Sequence, residues 1–466
     1  MSKSTPQTSI AAPPAPPAID RRPDLTRIGI NRAIWLLAVP MTLEMAVASV
    51  YQIADLYWVG RLGSEALAAV SIAGMVRWAI VSLSNGLAIG GLAIVARRTG
   101  ERRPEAADHA TTQAVIFALV ASLGMALLGL ATMRPLLVLL GADRNVLPLG
   151  LAFLRVTYLG LWAVVMVPVI NALFRGAGDA NIAFGVLTFA NLFNVVLEPF
   201  LVLGWGPFPH LGVTGAALSM IIAQGLGLVL QLLILLSGRA RIRLNMHHLR
   251  PDLTIIRRIV DIGTPSTVQM FLRAASRVIV LGLVGMFGTY ALAGYGVANR
   301  VLLVAFIPGF GLGNAAATLV GQNLGARQPD RAAKSAWIIA GYNVALMSVF
   351  ALFAFPMASR LVAVFDATPA VVSYGSAALR IITVSYLFSA VGVVMGRGLD
   401  GAGNTVPAMA INAFSLWGMQ IPLAYVLIRT HLGTDGIWWA IAVANIANGL
   451  LMAFWFRRGG WQRRRV

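Results

Sequence analysis

Apolar runs of roughly twenty residues recur from one end of the chain to the other, separated by short polar segments rich in Arg, Gly and Pro. That is the length an α-helix needs to cross the hydrocarbon core of a bilayer. The pattern predicts twelve spans, at residues 33–59, 67–95, 111–133, 148–173, 182–203, 213–237, 259–287, 291–319, 335–355, 372–396, 406–429 and 435–456. The runs are long and continuous, not short and alternating as in a membrane β-barrel. The expected class is therefore an all-α integral membrane protein.

The polar segments divide the chain. Residues 1–30 begin MSKSTPQTSIAAPPAPPAIDRRPD, rich in Pro, Ala, Ser and Thr with no apolar core, and predict a disordered tail, not a secretory signal. Residues 31–237 and 258–456 each hold six spans. Between them lies a basic linker, 238–257, and a basic tail follows at 457–466.

Composition agrees and excludes alternatives. The 466 residues are 58% hydrophobic and 11% charged, with a mean hydropathy of +0.79; soluble chains carry about 25% charged residues. A soluble enzyme and a disordered protein are excluded. The net charge is +19, but it sits in clusters between spans, so a membrane and not a nucleic acid is the expected partner. Of the 36 Lys and Arg residues, 25 fall in the tails and alternate loops, five in the other loops and six within spans. The bias predicts that both termini are cytoplasmic, and the expected location is the plasma (inner) membrane, with the protein a monomer. Cysteine is absent, which removes disulfides, thiolate metal sites and thiol nucleophiles. No histidine forms an HExxH pair, and His247-His248 reads as a solvated loop pair, so no metal site and no cofactor is expected.

A shift of 225 residues superimposes landmarks of the two halves. Pro40 falls on Pro265, Gly60 on Gly285, Gly63 on Gly288, Gly100 on Gly325 and Pro104 on Pro329. Gly176-Ala177-Gly178 falls on Gly401-Ala402-Gly403. Shared composition would not keep Gly and Pro in one register, so the chain is a duplication. An even number of spans per half puts both halves in the membrane in the same sense. The prediction is two six-helix bundles related by a pseudo-twofold axis along the membrane normal, a design of secondary transporters.

The chemistry is not duplicated. Three of the seventeen acids lie inside spans, Glu44, Asp55 and Glu198, all in the first half. Their repeat-mates are Gln269, Val280 and Leu423, and the second-half spans hold Arg273, Arg277, Arg300 and Arg380 instead. A carboxylate in hydrocarbon is costly and marks a functional position by default. Glu44 and Asp55 are eleven residues apart, nearly three turns, and share a helix face with Tyr51 on or beside it. Asn191, Asn194 and Glu198 lie at i, i+3 and i+7 on the fifth span. The two polar stripes are expected to face each other, with Glu44 nearer its helix end. Burial disfavours the charged carboxylate, which suits proton exchange. Pro40, on the same helix as Asp55, favours a kink. Arg273 and Arg277, at i and i+4, are expected to snorkel and pair with Asp261; the alternative is an anionic route. Gly176-Ala177-Gly178-Asp179 and Gly401-Ala402-Gly403-Asn404 lack a GKS/GKT context and are not phosphate loops.

These residues resemble the multidrug and toxic compound extrusion (MATE) family, over nearly all of residues 30–456. The likeness is carried by Pro40, by Ala54-Asp55-Leu56-Tyr57-Trp58-Val59-Gly60-Arg61-Leu62-Gly63 and by Arg175-Gly176-Ala177-Gly178-Asp179. Asn194, Glu198-Pro199 and Val320-Gly321-Gln322-Asn323-Leu324-Gly325 add to it. The resemblance implies a non-enzymatic alternating-access antiporter that exports cationic or amphiphilic small molecules against proton or sodium entry. It implies that Asp55, Asn194 and Glu198 form the cation site of the family's DinF-like branch, holding Na+ if sodium is the coupling ion. It also implies that a bend at Pro40 is linked to protonation, and that Ser219 or Thr214 stands for the sixth-span hydroxyl. Glu198 replaces the commoner, shorter Asp, which favours protons over sodium. Arg273 and Ser389 stand where the NorM-like branch has acids. A lipid or lipid-linked-sugar flippase of the same superfamily is the alternative.

Overall fold

The computed structural model describes residues 23–464, and these form helices throughout, with no strand among them. The helices are α1 (Ile30–Gly60), α2 (Ser64–Gly100), α3 (Pro104–Leu139), α4 (Val146–Leu159), α5 (Leu161–Ala177), α6 (Ala180–Leu203) and α7 (Val213–Ser237). After the linker come α8 (Leu253–Gly285), α9 (Thr289–Gly325), α10 (Pro329–Ala363), α11 (Pro369–Val384), α12 (Tyr386–Gly401) and α13 (Thr405–Ala413). A π-helical stretch, Phe414–Gln420, then leads into α14 (Ile421–Leu427), and α15 (Thr434–Arg457) closes the set. Two pairs are bent spans: α4 meets α5 at 55° and α11 meets α12 at 57°. With each pair taken as one span there are twelve, at the predicted places.

The sequence showed neither bend. The first falls at Gly160 and the second at Ser385, positions related by the repeat offset. Both are single-residue breaks inside apolar runs, so hydropathy passes through them unchanged. The repeat recurs in backbone detail. Arg102 and Arg327, also repeat-mates, are the two non-glycine residues with positive φ among those described, at +57° and +58°.

Both ends of the described chain lie at one end of the bundle, the terminal end, where Arg102 meets Asp24 at 2.7 Å and Arg97 donates to the Arg464 carbonyl at 3.0 Å. At this end the two lobes interlock. The first half of α1 (Ile34, Leu37, Met41) is buried in one core with α9, α10 and α12 of the C-lobe, whereas Val59 at its far end belongs to the N-lobe core. Symmetrically, Ile259 and Ile262 of α8 lie in the N-lobe core, and Val280 and Val284 in the C-lobe core. Each lobe's first helix thus crosses from the other lobe into its own. Glycine makes the crossing possible: a Cβ on Gly86 would overlap the Thr267 hydroxyl, and one on Gly311 would overlap the Thr42 hydroxyl. Gly86 and Gly311, and Thr42 and Thr267, are repeat-mates. The two predicted bundles therefore share their terminal-end packing, and α1 and α8 cannot be assigned whole to either.

Two boundaries differ from expectation. The predicted tail ends earlier, because Leu25 is 3% exposed and Arg331 donates to the Leu25 and Ile28 carbonyls. One apolar residue in a polar segment was too weak a signal. The rest of that tail, residues 1–22, lies outside the described residues. The linker is docked along α3: Gln113 Nε2 donates to the His248 and Arg250 carbonyls at 2.7 and 2.8 Å, and Arg243 N–H donates to Asp108 at 2.7 Å. Its Asp252 caps α8, accepting from Thr254 N–H at 2.8 Å.

Candidate functional site

The polar stripes of α1 and α6 meet near the far end of the N-lobe. Asp55 lies five residues before the end of α1 and Glu198 five before the end of α6. Their carboxyls are within hydrogen-bonding reach of each other. Glu198 is 0% exposed, and neither of its oxygens receives a hydrogen bond from a protein donor. Two carboxylates in contact without a donor repel, so the pair is stable only with a proton or a cation between them. Asn194, one turn before Glu198, is buried with its Oδ1 unpartnered, and Asn191 is buried on the same face. Tyr51, one turn before Asp55, feels both carboxyls, and its hydroxyl is buried.

The sequence reading missed Arg77. This α2 residue lies within electrostatic reach of Asp55 and Tyr51, and its Nη1 contacts the Met220 sulfur at 3.0 Å. It is a lone arginine inside a span, which by the rule used for the acids should have marked it. Its guanidinium supplies one positive charge beside the two carboxyls. The cluster therefore has one surplus negative charge when both are ionised, and none when they share a proton.

Glu44 does not join this group. It lies in the middle of α1 rather than near an end, is 2% exposed, and forms an ion pair of 2.6 Å with Arg175 of α5. Its position eleven residues before Asp55 put the two on one face but not at one depth. The pair belongs to the terminal-end closure. There Thr318 Oγ1 donates to the Arg175 carbonyl at 3.1 Å and Gln322 Nε2 to the Gly176 carbonyl at 2.8 Å, both from the C-lobe. The glycine turn thus serves as an acceptor for the opposite lobe, and Asp179 in it accepts from Arg241 N–H at 2.6 Å.

Pro40 is buried inside α1, which continues unbroken from Ile30 to Gly60. α9 of the C-lobe packs along the half of α1 that holds the proline. Ser219 is buried, but its hydroxyl donates to the Ala216 carbonyl at 2.9 Å within its own helix. The loop histidine His248 packs against His109 with ring centroids 4.5 Å apart and the planes tilted by 31°. Among the described residues no three His, Cys, Asp or Glu side chains gather as a metal site.

The expected pairing of Arg273 and Arg277 with Asp261 does not occur. Asp261 is exposed at the terminal end and sits 3.9 Å from Arg257. Arg273 and Arg277 lie more than three and more than four turns further along α8, and both line a cavity in the C-lobe.

Comparison with known proteins bears on the family and the fold. The MatE family model matches residues 40–200 and 265–426, one copy per half. The chain is 24% identical over 440 residues to the probable multidrug resistance protein YoeA of Bacillus subtilis, covering 93% of this chain and 95% of that protein. It is 24% identical over 429 residues to a FAD transporter of Shewanella oneidensis, covering 90% and 93%. In fold it is similar to a multidrug resistance MATE family transporter of the MOP superfamily in an outward-facing conformation. That likeness has a TM-score of 0.87 and 24% identity, and covers 95% of this chain and 98% of the other. With both halves of the chain matched in register by the family model, the protein belongs to the MatE (multidrug and toxic compound extrusion) family.

Proposed function

We propose that the protein is a secondary multidrug efflux antiporter that exports cationic or amphiphilic organic compounds across the inner membrane in exchange for protons. The observation that carries this reading is the contact of half-buried Asp55 with fully buried Glu198, whose oxygens have no protein donor, beside Arg77. A cation bound there replaces the shared proton, and a proton bound there evicts the cation. Competition for one pair of carboxyls suffices to oppose the two movements, provided each bound state favours a different shape of the lobe. Asn194 and Tyr51 complete the polar wall. Sodium would use the oxygens of Asp55, Asn194 and Glu198; the long Glu198 side chain and its contact with Asp55 favour the proton.

The terminal-end lock then acts as the closed gate of an alternating-access cycle, with its basic residues on the cytoplasmic side. The test is ethidium affinity against pH in detergent, paired with ethidium-driven proton release in proteoliposomes with and without sodium. Affinity should weaken as pH falls, because protons compete for Asp55 and Glu198, and Glu198→Gln should lose most of that dependence. An affinity that is flat from pH 5 to pH 8 removes the proton reading. Transport that occurs only with sodium transfers it to that ion. Relatives named as multidrug resistance proteins support the class of cargo.

A further inference from the structure

The C-lobe has a cavity at the repeat position of the N-lobe site. Tyr51 and Asp55 correspond to Ser276 and Val280, Arg77 to Leu302 and Met220 to Asn445, and all four of these C-lobe residues line the cavity. Its two adjoining chambers have volumes of about 260 and 230 Å³ and share Arg273 and Arg277 in their walls. The scaffold that holds acids in one lobe holds cations in the other.

The cations are under-compensated. Arg397 is 3.6 Å from Asp400, which also acts on Arg273. Two arginines therefore share one carboxylate, and Arg277 adds a third positive charge beside Arg273. Arg277 forms no ion pair among the described residues. Arg273 Nη2 donates only to Asn412 Oδ1, at 3.1 Å, and that oxygen also accepts from Asn448 Nδ2 at 3.3 Å. Both arginine side chains remain open to the cleft. The walls add donors that nothing in the protein uses: the buried hydroxyls of Ser276 and Ser389 have no partner. The π-helical stretch turns Ser415, Leu416 and Gln420 toward the same space, and such local unwinding frequently marks functional sites. The apolar part of the wall is aromatic, with Phe306 4.7 Å from Tyr386 between ring centroids.

We propose that this cavity binds the anionic group, carboxylate or phosphate, of an aromatic substrate. The proposal rests on the reading of the protein as an exporter of cationic or amphiphilic compounds, and it adds to the cations taken at the N-lobe site a class of amphiphiles that carry an anion. Guanidinium groups pair with carboxylate and phosphate through directed N–H bonds, and unpaired ones in a low-dielectric cleft gain most from such a partner. The amides of Asn299 and Asn445 and the two free hydroxyls supply further donors, and the rings of Phe306 and Tyr386 an apolar aromatic wall.

The experiment uses the full-length protein in detergent and four probes read by calorimetry: 2-naphthoate, 2-naphthyl phosphate, uncharged 2-naphthamide and the cation ethidium. At least one anion should bind about tenfold more tightly than the amide, in line with hydrogen bonds to charged groups; whichever anion gains more identifies the headgroup. The double variant Arg273→Gln/Arg277→Gln should lose that preference while binding ethidium as the wild type does, which shows that it is folded. Arg277→Lys should keep a reduced preference. Asp55→Asn should leave the anion preference intact. Equal binding of the anions and the amide, or a preference that survives in the double variant, overturns the proposal. Ethidium binding that ignores Asp55→Asn would instead count against the antiport reading and leave this site standing.

Discussion

The two lobes share one backbone and carry opposite chemistry. Gly86 and Gly311, the bends at Gly160 and Ser385, and the positive φ of Arg102 and Arg327 repeat at a single offset. At that same offset Asp55 becomes Val280 and Arg77 becomes Leu302. What is repeated is the machinery of shape: close crossings, bends and turns. What differs is the charge placed at the equivalent positions of each lobe. A hinge between matched bodies needs matched contacts. Coupling needs no symmetry, because one titrating site is enough to bias a two-state body.

The comparison is broken most severely at Asp55. Asp55→Asn should reduce proton-coupled ethidium export by about two orders of magnitude or more, to the level of empty liposomes, with elution and melting temperature unchanged; a lost transition-state-like interaction of a few kcal/mol is enough for this. Its mate offers the control. Val280→Asn should leave proton coupling in place, because the C-lobe has no carboxyl there to replace. Full export by Asp55→Asn, measured as ethidium efflux driven by an imposed pH gradient, would reverse the assignment of lobes.

Glu44 and Arg175 give the next effect, on stability. Removing one member of a buried ion pair leaves an unpaired charge, at a cost of about 3–5 kcal/mol. Arg175→Gln should therefore lower the melting temperature clearly, while the double variant Arg175→Gln/Glu44→Gln recovers much of the loss. The equivalent position to Glu44 is Gln269, which donates no charge and accepts from Asn412 Nδ2 at 3.1 Å. Gln269→Ala should cost less, about 1 kcal/mol. Equal costs on the two sides would mean that the pair contributes no more than a neutral hydrogen bond.

The matched crossings predict matched effects. Gly86→Ala and Gly311→Ala each force a methyl group against a threonine of the other lobe, and overpacking of this kind costs about 1–3 kcal/mol. Both should loosen the terminal-end closure to a similar degree, read as cross-linking between cysteines placed at Thr318 and Ala177. A response from only one of the two would show that the lobes share form but not load.

The repeat, the spans and the one-sided acids were legible in the sequence because each is a local or periodic property. Hydropathy finds a span, and a fixed offset of Gly and Pro finds a duplication. Depth along a helix was less legible. Eleven residues placed Glu44 and Asp55 on one face, but which partner each met depended on α5 and α6, which approach from different ends. Arg77 was hidden for a related reason. As one of six cations within spans it was counted, and only the fold brings α2 beside Tyr51 and Asp55. The interlock of α1 and α8 is a tertiary choice with no local pattern of its own.

The smallest effect sharpens the comparison at the terminal end. Asp24 ties the segment before α1 to Arg102, whereas the repeat-mate Arg327 has no such acid among the described residues. Partial burial works against its charge, but hydrogen bonds from Thr26 and from Arg102 outweigh that and hold its carboxyl below the usual range. A depressed carboxyl contributes stability that is fully present above its unfolded-state value, about 3.9, and is lost as pH falls through the folded-state value. The group is well exposed, so the contribution is under about 1 kcal/mol. Asp24→Asn should lower the melting temperature slightly and by a constant amount between pH 5 and pH 8, with the difference fading only below about pH 4. The window separates the two acidic features of the N-lobe. A change in export or affinity between pH 5 and pH 8 cannot arise from Asp24, so Asp24→Asn should leave the pH profile of ethidium binding unmoved. A profile displaced by this substitution would mean that closure of the terminal end, and not the Asp55–Glu198 pair, sets the pH dependence.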